Sequence, residues 1–226
     1  MLDSAIAIIG LPAVGKTTLT MQLGRLPGRR VFRLREHVPE TILAATATSA
    51  ERLGWIDDLT VTMALRSYLD SVVDDNTVHT VLFDNFPGSG QQVHIFLSTV
   101  RKLAPTCLVH PVELVAGPAT LNRRIRDRRV CHRCERDPIH DPRLPAVPSP
   151  ADSRRCARCN NILHPRRGDA PRLFSARMRR YRQTAEGIRE AFTSAGITVL
   201  QLESNNPPDQ IASEFIALLT TRSTPS

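Results

Sequence analysis

The sequence predicts an α/β fold: a parallel five-stranded sheet covered on both faces by helices. Three observations predict it. Short β-branched runs alternate with segments of helical periodicity, the pattern of parallel strands joined by helical crossovers. The first run passes directly into Gly10-Leu11-Pro12-Ala13-Val14-Gly15-Lys16-Thr17, which fits the phosphate-loop pattern G-x-x-x-x-G-K-[ST] between a strand and a helix. A clear β-branched run, 78–83, ends in an aspartate, Asp84, where such sheets gather their functional groups.

The elements follow in order. Ala5-Ile6-Ala7-Ile8-Ile9 is the first strand, and the residues after Thr17 open a helix. Val31-Phe32-Arg33-Leu34 forms a second short strand, followed by a helical stretch over 36–52. Asp57 or Asp58 caps a helix that runs to Ser71. Strand 78–83 and helix 91–103 come next, then strand 106–115, which Pro111 interrupts. A basic helix covers 119–129, and residues 130–165 change character, with four cysteines, many prolines and little periodicity. A long helix over 171–194, a strand over 197–202 and a helix over 208–219 complete the sheet and its cover. At 226 residues the chain suits one domain with a full hydrophobic core.

Charge is distributed unevenly. The net charge is +8, yet residues 123–182 hold eighteen arginines against six acids, and the rest of the chain is net acidic. Such a region recognises either nucleic acid or a small polyphosphate. Lysine occurs only as Lys16 and Lys102, so its presence where the loop pattern requires it is informative. No apolar run reaches the length of a membrane span, and Asp3 argues against a signal peptide. A cytoplasmic, monomeric protein with no membrane partner is expected.

The loop explains its own residues. Gly10 and Gly15 let the backbone turn tightly and aim N–H groups at phosphate oxygens, and the following helix adds its positive end. Lys16 can reach the terminal phosphates, and the Thr17 hydroxyl can ligate Mg2+. Asp84 stands where a strand-end carboxylate helps hold that ion. Cys131-His132-Arg133-Cys134 and Cys156-Ala157-Arg158-Cys159 are two C-x-x-C knuckles 21 residues apart, a four-thiolate pattern for structural Zn2+. His132, His140 and His164 lie nearby as alternative ligands, and Cys107 reads as a small apolar strand residue.

Taken together, these features resemble the adenylate kinases, nucleoside monophosphate kinases with a zinc-bearing lid. Gly10 to Thr18 is similar to the family's G-x-P-x-x-G-K-x-T. Leu82-Phe83-Asp84-Asn85-Phe86-Pro87 resembles L-x-D-G-F-P and is followed at the family's distance by Gln92. Arg124-Ile125-Arg126-Asp127-Arg128-Arg129-Val130-Cys131 resembles R-[IL]-x-G-R-R-x-C. Arg166-Arg167-Gly168-Asp169 resembles R-x-D-D, and Arg177-Met178-Arg179-Arg180-Tyr181 resembles R-[LM]-x-x-Y. The resemblance implies a three-layer P-loop kinase fold over residues 1–226, with an acceptor-binding segment at 33–64 and a zinc lid at 127–166. It implies transfer of the γ-phosphoryl group of Mg-ATP to AMP or a related monophosphate. In that scheme Gly10, Gly15, Lys16, Thr17, Thr18, Arg124 and Arg128 bind the donor. Lys16, Arg128, Arg166 and Arg177 neutralise the transferring phosphate, and Asp84 orients magnesium. Arg35, from Leu34-Arg35, would hold the acceptor phosphate, Gly54-Trp55-Ile56 would border the acceptor base, and Gln92 would read it.

The departures fall mainly on the acceptor side. The family's arginine after F-P is Gly88 here, and its G-D before the acceptor arginine is replaced, with Phe32-Arg33 standing there. Asn85 replaces a glycine and Gly168 an aspartate. The identity of the acceptor is therefore open, and two rivals stand beside the main expectation. One is an ATP-dependent kinase for another small molecule. The other is a zinc-ribbon nucleic-acid-binding protein, against which the 123–182 segment offers Phe174 and Tyr181 but no stacking platform.

Overall fold

A computed structural model describes residues 1–47, 55–134 and 144–220. Strands β1 (Ser4–Gly10), β2 (Arg29–Phe32), β3 (Thr80–Asp84), β4 (Leu108–Val115) and β7 (Leu200–Glu203) form one parallel sheet in the order β2-β3-β1-β4-β7. The helices are α1 (Lys16–Leu23), α2 (Glu40–Ala47), α3 (Asp58–Val73), α4 (Gly90–Leu103), α5 (Pro118–Asp127), α6 (Pro171–Ser194) and α7 (Pro208–Thr220). A two-stranded ribbon, β5 (Arg129–Val130) with β6 (His164–Pro165), frames the cysteine segment.

Strand alternation produces the three layers. On β1, Ala5, Ala7 and Ile9 join a core with α3, α4 and α6, whereas Ile6 and Ile8 join a second core with α1, α5 and α7. Both faces of β1 are thus covered, which is why its sequence is apolar without alternation. Phenylalanine rings knit the first core: Phe83 meets Phe32 and Phe96 at centroid distances of 5.3 and 4.8 Å. Asp57 caps α3 by accepting the Thr60 N–H, at 2.9 Å.

Several boundaries differ from the sequence reading. The second strand stops at Phe32, and Leu34 belongs to a 3-10 turn over Leu34–His37. The expected helix over 36–52 is divided by Pro39 into that turn and α2, and residues 48–52 lie outside the described part. Helix α5 ends at Asp127, so Arg128 and Arg129 leave it in extended conformation. The last strand starts at Leu200, after the turn at Gly196. Cys107 lies just ahead of β4 and is half-buried, with burial pushing its thiol up to about 12. Pro111 does sit inside β4, where β1 pairs along one side and β7 joins the other only from Val112. The missing N–H is tolerated because the ladder is still open on the β7 side.

The chain crosses to opposite sides of β1 on its way to β3 and β4, so the sheet divides at the carboxyl end of β1. Register places Ile8 beside Asp84 and Gly10 beside Leu114 at that edge. The loop 10–17 and Asp84 therefore meet.

Candidate functional site

The loop 10–17 takes its shape from three residues in the left-handed region: Gly10 at φ 137°, Ala13 at 67° and Gly15 at 109°. A Cβ on Gly10 would lie 2.5 Å from the Leu114 carbonyl oxygen, so β4 itself requires glycine there. The first helical bond of α1 runs from Leu19 N–H to Gly15 O, at 3.0 Å. The N–H groups of Lys16, Thr17 and Thr18 precede it and can serve an anion at the helix start.

Lys16 is buried and donates to the carbonyls of Gly10 and Leu11 at 2.6 and 2.7 Å. Burial, with help from Arg177, Arg128 and Arg166, pushes its ammonium down to about 7 against the pull of Asp84. The Thr17 hydroxyl lies 3.3 Å from Asp84 Oδ1. Two hard oxygens thus converge beside Lys16, the donor set that a magnesium ion prefers. Asp84 Oδ2 faces the other way and accepts from Arg33 Nε at 3.1 Å.

The opposite wall is built of arginine. Arg128 grips Asp169 with both arms of its fork, at 2.7 and 2.9 Å. Arg177 reaches the same carboxylate at 3.5 Å and the Gly168 carbonyl at 3.0 Å. Asp169 is buried, so one carboxylate orients two guanidinium groups toward the cleft. Arg166 lines the cleft one turn before it. Arg124 is tied to the loop from behind: it donates to Val14 O at 2.7 Å and to the Ser204 carbonyl, while the Ser204 hydroxyl also donates to Val14 O, at 2.8 Å.

At the other end, Arg35, Trp55, Ile56, Gly88 and Gln92 line the same cleft, whose volume is about 1000 Å³. Gln92 is buried and accepts the Gly88 N–H at 2.9 Å through its side-chain oxygen. Every donor-side and acceptor-side position expected from the sequence falls on this cleft, except Gly54, which lies outside the described residues. Among the described residues ten basic and three acidic ones line it, a balance complementary to an anion.

The four knuckle cysteines form a separate cluster beside the ribbon. Cys131 and Cys159 sulfurs are 3.4 Å apart, Cys134 and Cys156 sulfurs 3.7 Å, and all four lie within 4.8 Å of one another. A zinc tetrahedron with bonds of about 2.3 Å has edges of about 3.8 Å, so the cluster is close enough to hold a metal ion and is compatible with zinc. Backbone N–H groups of Arg158 and Cys159 point at the Cys156 sulfur and pull its thiol down to about 7. Asn160 accepts the left-handed turn of the second knuckle at φ 58°. His132 and His164 pack edge-on against each other, at 5.1 Å, and are not in the cluster; His140 lies outside the described residues.

Two site residues escaped sequence reasoning: Ser204 beneath Arg124, and Arg180, whose guanidinium lies 5.4 Å from the Trp55 ring centroid; Arg33, which the sequence offers as a second acceptor-side cation beside Arg35, pairs with Asp84. Among the described residues no helix is long and apolar enough to cross a membrane. No protein-family model matches the chain, and no curated protein matches it.

Proposed function

We propose that this protein is a magnesium-dependent phosphotransferase of adenylate-kinase type, moving the γ-phosphoryl group of ATP to a nucleoside monophosphate. One observation carries the reading. Lys16, with the Thr17–Asp84 pair beside it, faces Arg128, Arg166 and Arg177 within a single cleft. Phosphoryl transfer asks for in-line positioning, charge neutralisation and exclusion of water, and this arrangement offers the first two directly.

In the proposed reaction an acceptor phosphate oxygen attacks the γ-phosphorus while its bond to the β–γ bridging oxygen breaks. ADP leaves and the acceptor becomes a diphosphate. The loop N–H groups and Lys16 hold the donor's β- and γ-phosphates, and Arg124 fixes the loop from outside. Arg128 and Arg177, pre-aimed by Asp169, receive charge on the moving group without having to reorganise. Thr17 and Asp84 would hold magnesium, which would supply positive charge against the mutual repulsion of the phosphates. The cysteine segment 127–166 would act as a zinc-stabilised lid carrying Arg128 and Arg166 and keeping water out.

A specific observation favours a second reading, a kinase for another small anionic acceptor. Gly88 lacks a side chain, and Trp55 lies over it, 3.5 Å from where a Cβ would stand. A nucleic-acid-binding role remains the third reading, testable by salt-dependent retention on single-stranded DNA. The deciding experiment incubates the protein with Mg-ATP and AMP, CMP, UMP or GMP in turn, following ADP and the new diphosphate. Protein that binds ATP yet yields neither product with any acceptor would sink the main reading.

A further inference from the structure

At the end of the cleft lined by Arg35, Ile56 and Gln92, Trp55 lies against residues from two other elements. Gly88, in the turn after β3, lies beneath the indole of Trp55: a Cβ at Gly88 would stand 3.5 and 3.6 Å from Cζ3 and Cη2 of that ring and 3.3 Å from Gln92 Oε1. On Trp55 rests the guanidinium of Arg180, from α6. Arg180 is half-buried and lines the cleft with Arg35, Ile56 and Gln92. It stands three residues beyond Arg177, and positions i and i+3 share a helix face, so α6 presents both cations to the same cavity.

This part of α6 is fixed to the sheet. Tyr181 donates to Glu113 Oε1 at 2.8 Å, and Arg189 grips the same carboxylate at 2.9 and 2.8 Å. A guanidinium within about 6 Å of an aromatic face is attracted to it, which restricts where Arg180 can lie. The turn after β3 contributes no charge at position 88, which is glycine, and a Cβ there would touch the indole at ordinary contact distance.

We propose that Arg180, held over Trp55, is the cation that binds the phosphate of the acceptor, acting with Arg35 of the same cleft. The acceptor is thereby restricted to molecules carrying a phosphate or comparable oxyanion. This inference rests on the phosphotransferase reading for the identity of the acceptor end, but its binding test does not require turnover.

The test titrates wild type, Arg180→Ala and Arg180→Lys with AMP, CMP, UMP and GMP while a non-hydrolysable ATP analogue with magnesium fills the donor site. Wild type should bind at least one monophosphate more tightly than the matching nucleoside. Arg180→Ala should lose about ten- to a hundredfold of that affinity, the size of one charge-assisted hydrogen bond. Arg180→Lys should recover part of it, and affinity for the ATP analogue and the melting temperature should stay at wild-type values. Unaltered monophosphate affinity in Arg180→Ala overturns the inference, as does a parallel loss for the ATP analogue, which marks a structural role. Failure of all four monophosphates to bind wild type also overturns it. A protein that binds monophosphate through Arg180 but forms no ADP refutes the phosphotransferase reading and leaves this inference standing.

Discussion

Lys16 is held by two carbonyls of its own loop, which fixes its ammonium above the start of α1 and close to three arginines. Replacing it with alanine removes one preorganised charge from the phosphate position. We expect Lys16→Ala to lower phosphoryl transfer on the order of 10²–10³-fold with an unchanged circular dichroism spectrum. Turnover within a few-fold of wild type would show that the loop does not act on the transferring group. Residues of this kind are legible in sequence because a single loop fixes Lys16 and Thr17 at neighbouring positions. Arg33 and Ser204 are not: their partners lie 51 and 190 residues away, and nothing local to either residue announces the contact. Arg35 shows the intermediate case. Its motif fragment, Leu34-Arg35, was readable, but its place on a 3-10 turn was not, because β2 stops at Phe32 where the ring enters the aromatic core.

Among the elements, α6 is joined to β4 through Glu113. Burial opposes its charge, but hydrogen bonds from Arg189 and Tyr181 outweigh burial and hold the carboxyl below its ordinary value. A depressed folded value means that this contribution is present in full above about pH 4.5 and is lost as pH falls through the folded value. Urea melts from pH 7 to pH 3 should therefore show Glu113→Gln less stable than wild type at neutral pH, with the gap closing below pH 4.5. A constant gap would remove Glu113 from the acid response. The cysteine segment makes a different demand. Among its described residues it buries a small cluster, Cys131, Cys156 and Leu163, a core that a bound metal would supplement. Protein as purified should carry one zinc per chain by metal analysis. Cys131→Ser with Cys156→Ser should release it and raise hydrogen exchange across 144–166 while the sheet amides stay protected. Paired knuckles announced this cluster from sequence, and the histidines beside it could be discounted only once geometry set them apart.

For the molecule as a whole, the fold brings ten basic residues among those described to one cleft, and a polyanion bound there would relieve their mutual repulsion. Inorganic tripolyphosphate should raise the melting temperature even without magnesium. At a hundredfold excess over its dissociation constant the gain is about 2.7 kcal/mol, or roughly 5–10 °C for a chain of this size. Added sodium chloride should shrink the shift. No shift with tripolyphosphate at low salt would mean that the cleft does not recognise polyphosphate. The alternation of strands and helices made the three layers legible, whereas the meeting of Trp55 with Arg180 of α6 depends on packing that no periodicity encodes.

The placement of β1 also governs how the chain is made. Of the described strands, the central one, β1, leaves the ribosome before the others, and its two edges are claimed by β3 and β4, the latter ending at Val115. At 5–20 residues per second, Ala5-Ile6-Ala7-Ile8-Ile9 waits roughly 4–15 s for β3 and roughly 5–20 s before β4 can cover its second edge. Through that interval the nascent chain exposes the kind of apolar, uncharged segment that seeds intermolecular pairing. Nascent chains stalled before β4 should leave β1 open to protease, and those stalled well past Val115 should shield it. The position that makes the sheet's centre secure in the finished protein makes it the most exposed strand during synthesis.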